Sequence, residues 1–366
     1  MKKICFVNYD MTVTGGVEQV TTTLANEFCK EYEVYIYAIF GKGGHVPYDL
    51  DPRITYRAEL EEECRVRDRI KKTFRPFREF VRQNQIDVVF LMENYPAITV
   101  SPVRFFTKAK YVFCDHGALM NEWEKKDIRL FRFWDSMISH CTVTLTEQNR
   151  HDYIRKFHTN PKKIRSIYNW IKPEILAMRK EYNKDSKKII TVGRFSEEKG
   201  YDLLVEVAKK VLPFHPEWEW HLYGTGDTFD EIHQKMVEYG LTSQLIQKGN
   251  VKDVYKLYNE YAFLVLPSYR EGLPLVLLEA KASGLPMVSF DVTTGPREIV
   301  EEGMDGYLIP PYDLDKMANR IELLMDSEER RIAFSNHTIS GVKKFEKEEI
   351  YRQWTNLIDE LTMERK

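Results

Sequence analysis

The chain has 366 residues, 43% of them hydrophobic, 30% charged and 13% aromatic. This is the mix of a folded globular protein, and the length suits two domains better than one core. A net charge of −2 and the lack of a known binding module argue against nucleic acid as a partner, and no apolar run reaches the eighteen or so residues needed to span a bilayer. The five cysteines, Cys5, Cys29, Cys64, Cys114 and Cys141, form no CxxC or Cys/His cluster, so they read as reduced core thiols and not as a zinc site or a disulfide framework.

In chain order, the opening MKKICFVNYD is basic and then apolar, but ICFV is too short for a secretory h-region and Asp10 interrupts it; it reads as the first strand of a cytoplasmic protein. It leads into MTVTGGVEQVTTTLANEF, where Gly15 and Gly16 precede a helix. Two glycines there either let a ligand approach the amides of a helix start or simply make a tight turn; the GK[ST] of a P-loop is absent. The strands VYIYAIF, VVFLM, KYVFCD and CTVTLT follow. His116 comes directly after KYVFCD, at the carboxyl end of a parallel strand, where it either meets a substrate hydroxyl or is satisfied within the fold. Between these strands RVRDRIKKTFRPFREFVR interleaves cations with Phe74, Phe77 and Phe80, and RLFRFW, Arg129 to Trp134, does so again. Such segments are either amphipathic helices with a solvated face or surfaces that lie on an anionic membrane with their rings in the interface.

A Pro/Lys/Asn-rich segment, Asn169 to Lys187, marks the boundary before the strands KKIITVG, EWHLYG, LIQKG, AFLVLPS, PMVSFD and GYLIP. Short strands alternating with amphipathic runs predict βα units. The expected organisation is a doubly wound domain over 1–175, a second over 186–345, and a helix over 346–366 with an apolar stripe at Ile350, Trp354, Leu357, Ile358 and Leu361. Charge divides with it: residues 1–180 hold 30 Lys+Arg against 23 Asp+Glu, a balance of +7, and the remainder 24 against 33, or −9.

In the second half, Gly193, Arg194 and Lys199 lie on the loop after KIITVG, where two cations and nearby helix amides suit a diphosphate or are merely solvated. Gly224, Gly226 and Asp227 occupy the same place after EWHLYG. In REGLPLVLLEA, Pro274 predicts a helix starting at 273 or 274. Glu271 then falls on the loop before it and Glu279 about one and a half turns inside, with Gly272, Leu273, Pro274 and Leu275 forming the helix mouth between them. Thr293, Thr294, Gly295 and Pro296 open another short helix containing Glu298.

Taken together, GRFSEEKG, YGTGD, EGLPLVLLEA, SGLPMVSFD and TTGPREIVEEGMDGYLIPPYD resemble, in order and spacing, the retaining GT-B glycosyltransferases of family 4, specifically over about residues 187–330. The resemblance implies two Rossmann-like domains facing across a cleft, with a nucleotide sugar bound mainly by the second. It implies that Arg194 and Lys199 hold the diphosphate, Glu271 lies near the donor-sugar hydroxyls, Glu279 binds the ribose, His116 lies near the sugar's C6 oxygen, and Gly15 and Gly16 near the phosphates; the terminal helix resembles the crossover helix that braces the first domain. Leu273 and Pro274 depart from the Phe and Gly that many members carry.

The implied enzyme is a metal-independent, retaining hexosyltransferase without a cofactor, using a UDP-linked hexose or N-acetylhexosamine. Its diphosphate leaving group would be stabilised by Arg194, Lys199 and helix amides. The acceptor expected is a saccharide, lipid-linked, in bacterial capsule, exopolysaccharide or O-antigen synthesis, with the enzyme cytoplasmic and peripheral on the inner membrane face. Two alternatives stand beside this: a soluble transferase on a small acceptor, and a noncatalytic partner of another glycosyltransferase.

Overall fold

In the computed structural model, which describes residues 1–363, the chain divides into two compact units: Met1–Ile167 with the chain from Arg352 onward, and Tyr168–Tyr351. Every strand read from the sequence is present, and each unit carries its own parallel sheet.

The first unit's strands are β1 (Lys3–Asp10), β2 (Glu33–Phe40), β3 (Thr55–Ala58), β4 (Val88–Met92), β5 (Lys110–Asp115), β6 (Cys141–Thr144) and β7 (Ile164–Ser166). They lie in the order β3-β2-β1-β4-β5-β6-β7. The direction of winding reverses between β1 and β4, and β1 pairs in parallel with both β2 and β4. All of β4 and seven of the eight residues of β2 are buried, as strands covered by helices on both faces must be. On one face Phe6 stacks on Phe90 at 5.2 Å, and Trp354 of the helix Lys347–Met363 meets Phe90 edge-on at 5.5 Å. Of that helix's expected stripe, Ile350, Trp354, Leu357 and Ile358 are buried and Leu361 is partly so.

The second unit contains β8 (Lys188–Val192), β9 (Glu219–Tyr223), β10 (Leu245–Gly249), β11 (Phe263–Leu266), β12 (Met287–Phe290) and β13 (Gly306–Ile309), in the order β10-β9-β8-β11-β12-β13. Winding reverses here between β8 and β11. A buried polar chain ties the middle of this sheet: Trp220 Nε1 donates to Thr191 Oγ1 at 3.0 Å, and Thr191 Oγ1 to the Val265 carbonyl at 2.8 Å.

One open alternative is decided and two expectations are corrected. The helix Val66–Gln83 turns its rings inward: Phe77 and Phe80 are buried and Phe74 partly so. They pack on the sheet through Tyr37, which lies 4.8 Å from Phe77 and 5.2 Å from Phe80, so these rings are core, while Arg67, Lys71, Lys72, Arg75 and Arg82 face water with Asp68 and Gln83. The helix read as starting at 273 or 274 spans Leu275–Ser283, with Pro274 as its N-cap residue at φ −69° and ψ 108°. The extended ψ keeps Pro274 outside the first turn, which places Glu279 just over one turn into the helix. Cys64 is partly exposed, unlike the other four cysteines, which are buried.

Candidate functional site

In parallel sheets the carboxyl ends of the strands on either side of the winding reversal open onto a crevice that loops can line. In the second unit those loops follow β8 and β11. Gly200 ends the first of them at φ +66°, where a Cβ would overlap the Pro267 carbonyl oxygen, so the two loops meet backbone to backbone. The next residues on both sides then touch. Lys199 Nζ donates to Glu271 Oε1 at 2.8 Å, and Ser268 Oγ donates to the same oxygen at 2.7 Å. The Glu271 carbonyl accepts from Thr294 Oγ1 at 2.8 Å, and Gly295, at φ +97°, lies where a Cβ would be 2.6 Å from the Gly272 carbonyl oxygen. Glu271 is 7% exposed. A carboxylate this buried is tolerated because a cation and a hydroxyl converge on one of its oxygens.

Gly224, after β9, occupies φ +133°, and a Cβ there would overlap the carbonyl oxygen of Gly193; a Cβ on Gly226 would overlap that of Phe195. The turn is therefore a packing requirement that seats the Gly193–Arg194 backbone, which is further held by Phe195 N donating to the Thr225 carbonyl at 3.0 Å and Tyr201 Oη to the Gly193 carbonyl at 2.9 Å. Arg194 itself is exposed, and its Nη2 lies 3.4 Å from Asp227 Oδ2. An exposed pair at that distance contributes little to stability and leaves the guanidinium available to an anion.

Glu271 and Glu279 are not brought to a common partner. Glu279 accepts from Tyr258 Oη at 3.4 Å. Burial pushes its carboxyl up to about 7 against the opposing pull of Lys172 and the Tyr258 hydrogen bond. Lys172 Nζ lies 5.2 Å from the centre of the Tyr255 ring. Gly272, Leu273, Pro274 and Leu275 run from Glu271 into the helix, where the Leu277 and Leu278 amides donate to the Pro274 carbonyl and those of Leu275 and Val276 have no intrahelical acceptor. One end of the motif thus faces a lysine and the other a tyrosine with a nearby cation, with helix amides between: an arrangement suited to a ligand carrying negative charge at its middle and hydroxyls at both ends.

In the first unit, His116 follows β5. Its Nε2 is withdrawn from water with no hydrogen-bond partner among the described residues, and burial lowers the ring's pKa to about 4, so the imidazole is neutral at physiological pH and keeps a nitrogen for a hydroxyl. Behind it Arg132, 3.0 Å from Glu122 and 3.3 Å from Asp115, fixes the strand end. Gly15 is the N-cap of the helix Gly16–Phe28. The Tyr48 hydroxyl accepts from the Gly15 amide at 3.0 Å and donates to the Gly15 carbonyl at 2.9 Å, and a Cβ on Gly15 would overlap the Glu18 carboxylate. A Cβ on Gly16 would meet nothing within 4 Å, so that glycine leaves open space at the helix entrance.

Four polar residues escaped the sequence reading. Ser268 carries a weak signal, a hydroxyl three residues before Glu271. Tyr258 and Lys172 carry none, since only the fold brings them near Glu279. Glu93, the lone acid after VVFLM, has φ +77°, and burial, reinforced by Asp115, pushes its carboxyl up to about 7.

Comparison with known proteins follows the same division. The family described as glycosyl transferases group 1 matches residues 175–340, and glycosyltransferase family 4 matches residues 14–175. The amylovoran biosynthesis glycosyltransferase AmsD of Erwinia amylovora is 23% identical over 98% of this chain and 100% of its own length. An α-1,4-N-acetyl-D-galactosaminyltransferase of Campylobacter jejuni, named for a diphosphoundecaprenol-linked saccharide, is 23% identical over 99% of each chain. The crystal structure of HepE from Anabaena in complex with UDP-glucose superposes with a TM-score of 0.83 at 15% identity, covering 98% of this chain and 100% of that one, a likeness of fold.

Proposed function

The chain belongs to glycosyltransferase family 4 with the GT-B fold, and from that premise we propose that it moves a hexose or N-acetylhexosamine from a UDP-sugar, with retention of configuration, to a hydroxyl of a lipid-linked saccharide in bacterial surface polysaccharide assembly. The observation that carries this reading is the Lys199–Glu271–Ser268 junction at the winding reversal of the second sheet.

Transfer breaks the bond between the anomeric carbon and the diphosphate oxygen and forms one from the same carbon to the acceptor oxygen. Charge develops on the departing diphosphate, and Lys199, Arg194 and the amides at the start of the helix Leu275–Ser283 receive it. Glu271, already fixed by Lys199 and Ser268, orients the donor sugar through its hydroxyls, and Glu279 takes the ribose. The acceptor's proton passes to the leaving phosphate on the face it vacates. A double displacement through two carboxylates needs both beside one anomeric carbon; Glu271 and Glu279 have separate partners and fit separate parts of the ligand. His116, neutral at physiological pH, contributes a hydrogen bond and not a charge.

Support for the donor comes from the UDP-glucose complex of the HepE neighbour, and for the acceptor class from the undecaprenol-linked saccharide that names the Campylobacter relative; peripheral attachment to the inner membrane face follows from such an acceptor. The test is UDP or GDP release across a panel of UDP- and GDP-sugars without acceptor. Slow release from one UDP-hexose or UDP-N-acetylhexosamine is expected, and silence across the panel, or release from GDP-sugars alone, would overturn the donor assignment.

A further inference from the structure

The helix Lys126–Ile138 is partly inverted. Its buried side carries Arg132, Asp135 and Ser136 between Ile128 and Ile138, while Leu130, Phe133, Trp134 and Met137 are exposed at spacings of i, i+3, i+4 and i+7. Arg132 is paired with Asp115 and Glu122, and Asp135 Oδ1 accepts from Ser101 Oγ at 3.0 Å. A helix that buries an arginine and an aspartate and leaves four large apolar side chains outside presents a surface to something other than water. Ser101 begins the turn Ser101–Phe106, whose Phe105 and Phe106 are 62% and 51% exposed. The ring of Phe106 lies 5.4 Å from that of Phe74, on the helix Val66–Gln83. That neighbouring helix turns Arg67, Lys71, Lys72, Arg75 and Arg82 to solvent.

We propose that these elements form one docking surface for an anionic lipid bilayer, in which the stripe Leu130–Met137 and Phe105/Phe106 enter the interface while the cationic side of Val66–Gln83 meets the head groups. Charge selects the occupant. Two copies meeting through this face would bring two cationic helices together, whereas an anionic leaflet satisfies both the apolar and the basic parts. The basic helix supplies attraction without its rings, which are committed to the core, and the inverted helix supplies the rings. The proposal rests on the reading that the acceptor is lipid-linked, because a lipid-borne acceptor requires the enzyme at the bilayer.

The test uses the full chain with vesicles of phosphatidylcholine, with and without about one-third phosphatidylglycerol. Trp134 is the exposed member of the six tryptophans, so its emission reports insertion directly. Wild-type protein is expected to float with the anionic vesicles and shift its emission to the blue, and to bind neutral vesicles at least about tenfold less. Leu130→Ser/Met137→Ser should lose the blue shift and most of the flotation, and Lys71→Glu/Lys72→Glu should lose flotation with a normal emission spectrum in solution. Both variants should release UDP from the UDP-sugar at the wild-type rate, which separates failure of the surface from failure of the donor assignment. Undiminished flotation of the Ser variant would overturn the proposal. So would absence of wild-type flotation alongside active UDP release, or a concentration-dependent dimer that the Ser variant disperses.

Discussion

Lys199 and Glu271, 72 residues apart, are joined by a 2.8 Å hydrogen-bonded ion pair that links the loop after β8 to the loop after β11. Each residue is thereby part of the other's placement. Lys199→Met removes both the cation proposed for the diphosphate and the partner of a nearly buried carboxylate, and UDP release is expected to fall at least about 100-fold. Glu271→Gln keeps a group able to accept from Ser268, so it should fold normally yet lose donor turnover. Thermal unfolding alongside UDP release checks both, and a Gln variant with near-wild-type donor affinity and turnover would remove Glu271 from the site.

Glu279 gives a pH signature. Its carboxyl is pushed up to about 7 by burial, so it is protonated below that pH and ionised above it. Ribose hydroxyls donate to the ionised form more strongly, which means that donor affinity should rise as pH increases through about 7 and then level off. UDP-glucose is the useful probe because its diphosphate has no proton to lose in this range. Calorimetric titration from pH 5.5 to 8.5 with wild type and Glu279→Gln checks the assignment: the variant's affinity should be lower and flat.

Glycine substitutions should separate packing from ligand access. Gly224→Ala places a Cβ against the Gly193 carbonyl at φ +133°, and a loss of at least about 2 kcal/mol is expected, visible as a drop in Tm. Gly16→Ala meets nothing within 4 Å at the first position of a helix, and should be neutral for stability or slightly favourable. If the donor approaches that entrance, Gly16→Ala nonetheless slows UDP release; unchanged rates would confine the first glycine loop to a structural part.

The buried pair Lys281–Asp305 ties the helix Leu275–Ser283 to the residue before β13, with side chains 2% and 1% exposed. Asp305 also accepts from the Glu301 amide. Lys281→Met would strand the carboxylate, at a cost of about 3–5 kcal/mol. Urea unfolding should register this loss, and Lys281→Met/Asp305→Asn should recover part of it.

Both sheets are legible in the sequence because a parallel strand covered on both sides must be apolar almost throughout, and runs such as VVFLM and FLVL state this without help from context. β3, TYRA, and β7, IRS, are missing from that reading because edge strands of three or four residues with polar members carry no such run. The site's cations and carboxylates are legible as motif members, but the Lys199–Glu271 pairing depends on backbone contacts at Gly200 and Pro267 that no local pattern encodes. RLFRFW shows the limit most clearly. Hydropathy finds an amphipathic segment there but leaves open whether its rings pack inward or lie outward, whereas in the fold Arg132 pairs inward with Asp115 and Glu122, positioned by other elements, and the stripe lies outside.

The Tyr48 hydroxyl serves the amide and the carbonyl of Gly15 at once. The entrance to the first helix is therefore set by a residue on a separate loop, and drift in the segment around Tyr48 can retune that entrance while both glycines stay unchanged. Relatives that keep the glycine pair but differ around position 48 would share a doorway and differ in how far it stands open.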